Sequence, residues 1–281
     1  MQRSLLYQFG HREAGHLDQV IDEVLLAEEL AFESVWCLPA AGEAGDFALG
    51  APEIWLAALA GCTKRIRLGW GLARMTPPRL APIRNAEQGA SLDLASKGRL
   101  DLALLPDTFD ASDSSDSKVD VDAAEPWDEG LRMLVEMWDR PTFSWTSTRF
   151  EVPPVDVLPK PMQNPHPPIW LVGWSPEHAQ RAGSAGLGLL DVSGGSDERL
   201  ESHRDAYLMS RSEADPNDLV CVSAFAAALD LEVVPEAAER LSGWEALGFD
   251  QAILRLAPLE DGFDVTKAKI RLFASNSLSV H

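Results

Sequence analysis

The chain has 281 residues, of which 46% are hydrophobic, and its 44 acidic and 24 basic residues give a net charge of -20. This composition is typical of a globular protein and excludes a disordered chain, while the negative charge argues against a nucleic-acid or anionic-membrane partner. No apolar run reaches the roughly 20 residues that span a bilayer, and the N-terminus lacks a signal-peptide core, so we expect a cytoplasmic protein without a membrane segment.

Strand and helix patterns alternate four times in the first 138 residues. Short apolar runs predict strands at 4–9, 33–38, 66–72 and 99–105. Apolar residues at helical spacing predict helices at 17–25, 53–62, 83–95 and 127–138. Between the fourth strand and its helix, residues 107–126 are acidic and serine-rich, which predicts a loop or lid.

The alternation continues in the second half, after residues 142–152, which predict short strands outside the main pattern. The remaining strands are predicted at 169–172, 188–192, 219–229 and 251–256, and their helices at 176–185, 197–212, 235–247 and 265–277. Eight such units, with strands that are apolar on both faces, predict a single-domain α/β protein over 1–281 with a (β/α)8 TIM-barrel fold. A doubly wound sheet is the alternative, but no GxGxxG motif opens the first unit.

The junction at Ser175-Pro176-Glu177 predicts a well-defined helix start after the fifth strand. Serine is a preferred N-cap residue, proline is favoured at the first helical position, and glutamate suits the first turn. Free backbone N–H groups at a helix start beside a strand end can bind an anion such as phosphate. Most capped helices bind no ligand, so the alternative is that this helix start has only a structural role.

In a barrel of this kind, ligands bind at the C-terminal strand ends. His11 follows the first strand and Asp107 the fourth, and both are candidates for acid or base catalysis. The alternatives are a solvated loop histidine and the first residue of the acidic lid. Arg74, after the third strand, could pair with an anion.

Neither the histidines nor the cysteines have the spacing of a metal site, so no metal is expected. The acidic run at 110–122 lacks the calcium-loop pattern as well. Cys37, Cys62 and Cys221 lie among apolar neighbours, which favours buried, inert thiols.

Several stretches together resemble the bacterial-luciferase-like monooxygenase family. The most specific are TKRIRLG, the DLASKGRLDL block and VLPKPMQNPHPPIW, with further matches in SVWCLPAA, WDEGLRMLVEMW and WEALGFDQAILRL. The resemblance spans nearly the whole chain.

This resemblance implies a TIM barrel that binds reduced FMN, or alternatively a deazaflavin, and that typically forms a dimer. It implies a flavin phosphate near the fifth and sixth strand ends, which here carry Gly173, Trp174, Ser175, Ser193, Gly194, Gly195 and Ser196. Arg74 could add a charge-assisted bond to that phosphate. Trp36, Trp70 and Trp174 could stack on the flavin ring, although large aromatics commonly just fill barrel ends.

The chain departs from the family pattern in three places. Where the family usually carries histidines after the second strand, this chain has Leu38-Pro39-Ala40-Ala41, which cannot transfer protons. Where the family usually has a glycine-rich turn after the fourth strand, this chain has Leu104-Leu105-Pro106-Asp107. The region after the seventh strand is shorter than usual.

Two functions are therefore open. The first is a monooxygenase or oxidoreductase that receives reduced FMN from a separate flavin reductase and oxidises a small organic substrate. The second is a catalytically impaired flavin-binding or partner subunit, paired with itself or with a homologue, or without bound cofactor. The missing histidines favour the second, and the intact helix start at Ser175 favours the first.

Overall fold

Eight parallel strands close into a barrel in a computed structural model that describes residues 1–9, 17–39, 51–73, 82–106, 124–194, 196–213, 224–230, 234–256 and 263–275. The barrel strands follow one another around the ring in the order β1, β2, β3, β4, β7, β8, β9, β10. Their bounds are β1 Gln2–Phe9, β2 Ser34–Pro39, β3 Arg67–Ala73, β4 Leu100–Leu105, β7 Ile169–Gly173, β8 Gly188–Asp191, β9 Phe225–Asp230 and β10 Gln251–Leu256.

Helices follow the barrel strands on the outside. Their bounds are α1 Leu17–Glu29, α2 Pro52–Cys62, α3 Pro82–Ser96, α4 Ala124–Asp139, α5 Pro176–Ser184, α6 Asp197–Glu213, α7 Val234–Ala246 and α8 Phe263–Ser275. The predicted TIM barrel is confirmed, and the doubly wound sheet is excluded by the closed strand order.

The predicted excursion at 142–152 is an antiparallel hairpin of β5 Phe143–Thr146 and β6 Glu151–Val155, outside the barrel. Of the predicted lid, residues 107–123 lie outside the described part of the chain. Residues 124–126 form the first turn of α4, so the helix begins three residues before its predicted start.

Two tryptophans fill the barrel interior, each opposite a glycine. Trp36 on β2 is paired in register with Gly69 on β3, and Trp170 on β7 with Gly188 on β8. A Cβ atom at either glycine would overlap the facing indole ring. The two indoles meet edge to face, with ring centroids 5.4 Å apart, so large and small residues alternate across the interior.

A larger core lies between the barrel and its helices, and it contains a buried polar pair. Tyr7 on β1 donates a hydrogen bond to the Glu23 carboxylate on α1 at 2.7 Å. Cys37 is also buried here, where burial raises the pKa of its thiol, as expected for an inert cysteine. Cys62 is partly exposed, and Cys221 lies outside the described residues.

The family-like stretches stabilise the N-terminal end of the barrel. Glu28 accepts hydrogen bonds from three consecutive backbone N–H groups at 64–66, within TKRIRLG. Arg99, from the DLASKGRLDL block, donates to the carbonyl oxygens of Ala60, Thr63 and Ile66. These contacts hold the loop that leads into β3.

A second network at the same end anchors the proline-rich approach to β7. The Asp93 carboxylate accepts hydrogen bonds from the backbone N–H groups of Met162 and Gln163. Arg67 binds both carboxylate oxygens of Asp101 and also donates to the side chain of Gln163. These motifs stabilise the N-terminal end of the barrel, and the functional sites of TIM barrels lie at the opposite, C-terminal end.

Candidate functional site at the ends of β7 and β8

The C-terminal ends of β7 and β8 lie side by side, and each leads into a serine-capped helix. Gly173 is paired with Asp191, and the N–H of Val192 donates to the Gly173 carbonyl at 2.9 Å. Ser175 precedes α5, and Ser196 precedes α6. Two helix N-termini therefore meet at neighbouring strand ends, which favours an anion at this edge.

Ser175 is the N-cap of α5, as predicted. Its backbone is extended, with φ -141° and ψ 161°, and its hydroxyl accepts a hydrogen bond from the backbone N–H of His178 at 3.4 Å. Pro176 occupies the first helical turn, where its missing N–H costs nothing. The residue is half-buried.

The turn between β8 and α6 also ends in a serine that caps the following helix. The φ of Gly194 is +60°, a left-handed conformation that glycine adopts without strain. The hydroxyl of Ser196 accepts a hydrogen bond from the N–H of Arg199 at 3.4 Å, so Ser196 caps α6. The N–H of Ser193 points inward to the Asp191 carboxylate at 2.9 Å and is engaged there.

Glu177 places a carboxylate at the start of α5. The Ser175 hydroxyl and the backbone N–H of Glu177 donate hydrogen bonds to this carboxylate, and these bonds lower its pKa. The residue is exposed and can rotate outward. A negatively charged group of the chain itself therefore competes with any anion for the same donors.

His178 is the most deeply buried ionisable group at the start of α5. Its Nδ1 atom lies 3.3 Å from the Ser175 hydroxyl, and its ring packs edge-on against Trp174, with centroids 4.4 Å apart. Only 3% of the residue is exposed, and burial lowers its pKa to about 4. Gly173 permits this packing, because a Cβ atom there would lie 3.1 Å from the Cβ of His178.

Asp191 and His203 form a second buried polar pair behind the strand ends. The His203 Nδ1 atom lies 2.6 Å from the Asp191 Oδ2 atom, and the other carboxylate oxygen accepts the Ser193 N–H. Both side chains are almost completely buried. The pair connects α6 with the turn that begins at Ser193.

Arg255 brings a positive charge to the same end of the barrel. It is the fifth of six residues of β10, and its Nη2 atom donates to the Val192 carbonyl at 2.6 Å. The side chain therefore spans from β10 to the end of β8.

The structure separates the three tryptophans that could line a flavin site. Trp36 is fully buried within the interior, at the third position of β2, and Trp70 is buried at the fourth position of β3. Trp174 follows β7 and is partly exposed beside His178. Trp36 and Trp70 lie within their strands and are buried in the core, which favours the alternative that large aromatics fill the barrel. Stacking of these tryptophans on a flavin stays a prediction.

Four predicted site residues, His11, Arg74, Asp107 and Gly195, lie outside the described residues. Their predicted roles stay predictions. Of the others, Gly173, Trp174, Ser175, Ser193, Gly194 and Ser196 are brought together at the ends of β7 and β8.

Four residues near these strand ends were not predicted from the sequence: His178, His203, Asp191 and Arg255. The two histidines are 25 positions apart and have no motif spacing, so nothing in the sequence pairs them. Arg255 had a usable signal, because a charged residue within the apolar strand QAILRL needs a polar partner. Within the described ranges, no cluster of three or more histidine, cysteine or acidic side chains could hold a metal ion.

The fold defines a TIM-barrel protein in which two serine-capped helices begin at neighbouring strand ends of the C-terminal face. The chain belongs to the luciferase-like monooxygenase family, whose model matches residues 1–268. Across the described helices, none is long and apolar enough to cross a membrane.

Individual relatives are distant. The chain is 27% identical over 168 residues to the oxygenase component of a flavin-dependent trigonelline monooxygenase from Acinetobacter baylyi, a match that covers 57% of this chain and 44% of that relative. The chain thus spans about half the length of the curated relatives it matches.

Solved structures share the fold over nearly the whole chain. The monooxygenase RslO1 from Streptomyces bottropensis superposes with a TM-score of 0.77 at 21% identity, covering 98% of both chains. The oxygenating constituent of 3,6-diketocamphane monooxygenase from Pseudomonas putida, in complex with FMN, gives a TM-score of 0.73 at 15% identity, covering 98% of this chain and 97% of that one.

Proposed function

We propose that the chain is a flavin-dependent monooxygenase or oxidoreductase that uses reduced FMN to oxidise a small organic substrate, with a deazaflavin as the alternative cofactor. The observation that carries the proposal is the meeting of two serine-capped helix starts at the ends of β7 and β8. Family membership supports flavin use. A separate flavin reductase is proposed as the donor, since the Acinetobacter relative is named an oxygenase component.

The residues at these strand ends fit a flavin phosphate. Ser175 and Ser196 offer hydroxyl groups, and both helix starts favour negative charge. Arg255 adds a guanidinium near the end of β8. The exposed carboxylate of Glu177 opposes a phosphate and must rotate away for one to bind.

Apolar side chains line the interior beneath the strand ends. Leu38, Leu105, Val172 and Leu190 are buried there with the two tryptophans. When bound, reduced FMN would supply the electrons that activate dioxygen, or a deazaflavin would supply a hydride. The role of this chain is to hold the cofactor by its phosphate and to keep water from its inner side.

The end of β2 supports the second candidate function, a catalytically impaired subunit. Leu38 is fully buried in the interior, and Pro39 ends the strand. Neither side chain has an ionisable group, so neither can transfer a proton. A dimer with itself or with a homologue is part of both proposals. His11 and Asp107 stay the candidate acids or bases for the first function.

Binding and oxygen reactivity distinguish these functions. Purified protein is titrated with oxidised FMN, with reduced FMN under anaerobic conditions and with a deazaflavin, and oxygen is then admitted to the reduced complex. We expect tight binding of one reduced cofactor and a change in its rate of oxidation by oxygen. Binding without such a change supports the impaired flavin-binding subunit. The absence of binding to all three cofactors overturns both flavin-binding versions and leaves a partner subunit without a cofactor.

The position of the phosphate is tested by Ser175→Asp. A second carboxylate at the helix start should weaken FMN binding on the order of tenfold, because like charges a few ångströms apart repel each other. Ser202→Asp is the matched control, since Ser202 is exposed in the middle of α6. Unchanged affinity in Ser175→Asp would place the phosphate elsewhere.

A further inference from the structure

A cavity lies outside the barrel, between α4 and the β5–β6 hairpin. Its volume is about 290 Å³, close to that of the smallest small-molecule sites, which begin near 300 Å³. Its walls combine two acidic, two basic, one aromatic and one hydroxyl side chain: Asp128, Glu129, Arg132, Trp145, Ser147 and Arg149. None of these residues is among those proposed to hold the flavin, so the cavity is a separate feature of the chain.

The hairpin side of the cavity is held in place by hydrogen bonds. The hydroxyl of Ser147 accepts from the backbone N–H groups of Arg149 at 3.1 Å and Phe150 at 3.0 Å. The N–H of Ser147 donates in turn to the Phe150 carbonyl at 2.8 Å. The indole Nε1 of Trp145 donates to the Oε1 atom of Glu129 at 2.8 Å. The turn and the indole ring are therefore fixed against α4 without a ligand.

Two groups of opposite charge in this cavity lack a hydrogen-bond partner. The Oε2 atom of Glu129 is buried and has no such partner among the described residues, since the Arg149 Nη1 atom is 3.7 Å away. Arg132, three positions further along α4, is exposed and forms no hydrogen bond or ion pair with the described chain. Asp128 is already paired, because Arg181 lies 3.0 Å from it.

These two groups suit a ligand that carries both charges close together. A buried acceptor without a partner costs about 1–3 kcal/mol, which a donor on a ligand would offset. Residues at positions i and i+3 of a helix lie on one face, with Cβ atoms about 5–6 Å apart. An α-amino acid carries its ammonium and carboxylate groups on one carbon atom. The guanidinium of Arg132 matches the carboxylate, and the indole of Trp145 offers an apolar surface beside it.

We propose that this cavity binds a free α-amino acid with an apolar side chain. The ammonium group donates to Glu129, the carboxylate accepts from Arg132, and the side chain lies against Trp145. A simple carboxylate would leave Glu129 without a donor, and a simple amine would leave Arg132 without an acceptor. The proposal does not depend on the proposed function, because it uses neither the flavin nor the strand ends of β7 and β8.

Three probes with the same phenyl group test the need for both charges. L-phenylalanine has both, phenethylamine lacks the carboxylate, and 3-phenylpropanoate lacks the ammonium group. Isothermal titration calorimetry of the full chain measures the dissociation constant of each. We expect L-phenylalanine to bind roughly 10- to 100-fold more tightly than either analogue, the range for one hydrogen bond to a charged group.

Variants of the two charged residues should each remove one preference and leave the other. Glu129→Gln should abolish the preference for L-phenylalanine over 3-phenylpropanoate, because the ammonium group loses its anionic partner. Arg132→Met should abolish the preference over phenethylamine. Glu136→Gln and Arg140→Met are the matched controls, since these residues pair with each other at 3.1 Å on the same helix, outside the cavity. Both controls should keep both preferences.

Several results would overturn the inference. They are no binding of L-phenylalanine at concentrations up to about 10 mM, which is weaker than a millimolar dissociation constant, or equal affinity for all three probes. Equal weakening of all probes in Glu129→Gln and Arg132→Met would also do so, provided that circular dichroism shows both variants to be folded. A flavin titration of the same samples tests the proposed function separately, so the two failures are distinguishable.

Discussion

The imidazole of His203 on α6 lies 2.6 Å from the carboxylate of Asp191 at the end of β8, and both side chains are almost completely buried. The second oxygen of the same carboxylate accepts the backbone N–H of Ser193. One buried pair therefore holds together a strand end, the turn that follows it and the helix beyond. The geometry of the predicted phosphate turn depends on this pair.

His203→Leu should lower the free energy of unfolding by about 2–3 kcal/mol, because it leaves the Asp191 carboxylate buried without its histidine partner. Urea denaturation followed by tryptophan fluorescence measures this change. Tyr207→Phe, on the same helix, removes a neutral hydroxyl that donates to the Leu187 carbonyl, and should cost about 1 kcal/mol. If both variants lose the same stability, the pair has no special role.

Glu177→Gln should strengthen FMN binding about two- to fivefold, since it removes a negative charge that occupies the donors at the start of α5. Riboflavin affinity should not change, because riboflavin has no phosphate to be repelled. Glu151→Gln on the exposed hairpin removes the same charge far from the strand ends and serves as the control. Weaker FMN binding in Glu177→Gln would show that the carboxylate supports the site.

The stability of the protein should fall as the pH decreases from about 6.5 to 4. His178 has a pKa of about 4 in the folded protein, and an unfolded histidine has about 6.5. The unfolded chain therefore binds more protons than the folded protein in this pH range. The full contribution of His178 to the free energy of unfolding is present only above pH 6.5.

The contribution of His178 to the free energy of unfolding amounts to at most about 3 kcal/mol. His178→Gln cannot titrate, so its stability should depend less steeply on pH than that of the wild type. Urea denaturation at pH 7, 6, 5 and 4 measures both slopes. Equal slopes would show that His178 is protonated in the folded state as readily as in the unfolded one.

Gly69→Ala should destabilise the barrel by about 1–3 kcal/mol, because the added Cβ atom would overlap the indole of Trp36 in a packed interior. Gly61→Ala on α2 is the control, since nothing lies within 4 Å of its added Cβ atom. Alanine has a higher helix propensity than glycine, so Gly61→Ala should be as stable as the wild type or slightly more stable. Thermal unfolding monitored by circular dichroism compares the two, and a tolerated Gly69→Ala would contradict the packing.

Much of the architecture was predictable from local patterns. The strand over 251–256 has the predicted bounds, and the α5 start at Ser175-Pro176 follows from the intrinsic preferences of serine and proline. The eight-fold alternation predicted the barrel because parallel strands joined by helices have few ways to bury both faces. These signals lie within a few consecutive residues, where a sequence can be interpreted without knowing the fold.

The contents of the site required the tertiary structure. His178, Asp191 and His203 belong to three elements, and Arg255 reaches Val192 over 63 positions of sequence. The sequence by itself determined the barrel and the capped helix at which we propose that a phosphate binds. Only the closure of the barrel decided that Trp36 packs in the interior and that Arg255, from the last barrel strand, reaches the carbonyl of Val192. Contacts between such distant residues depend on strand order and register.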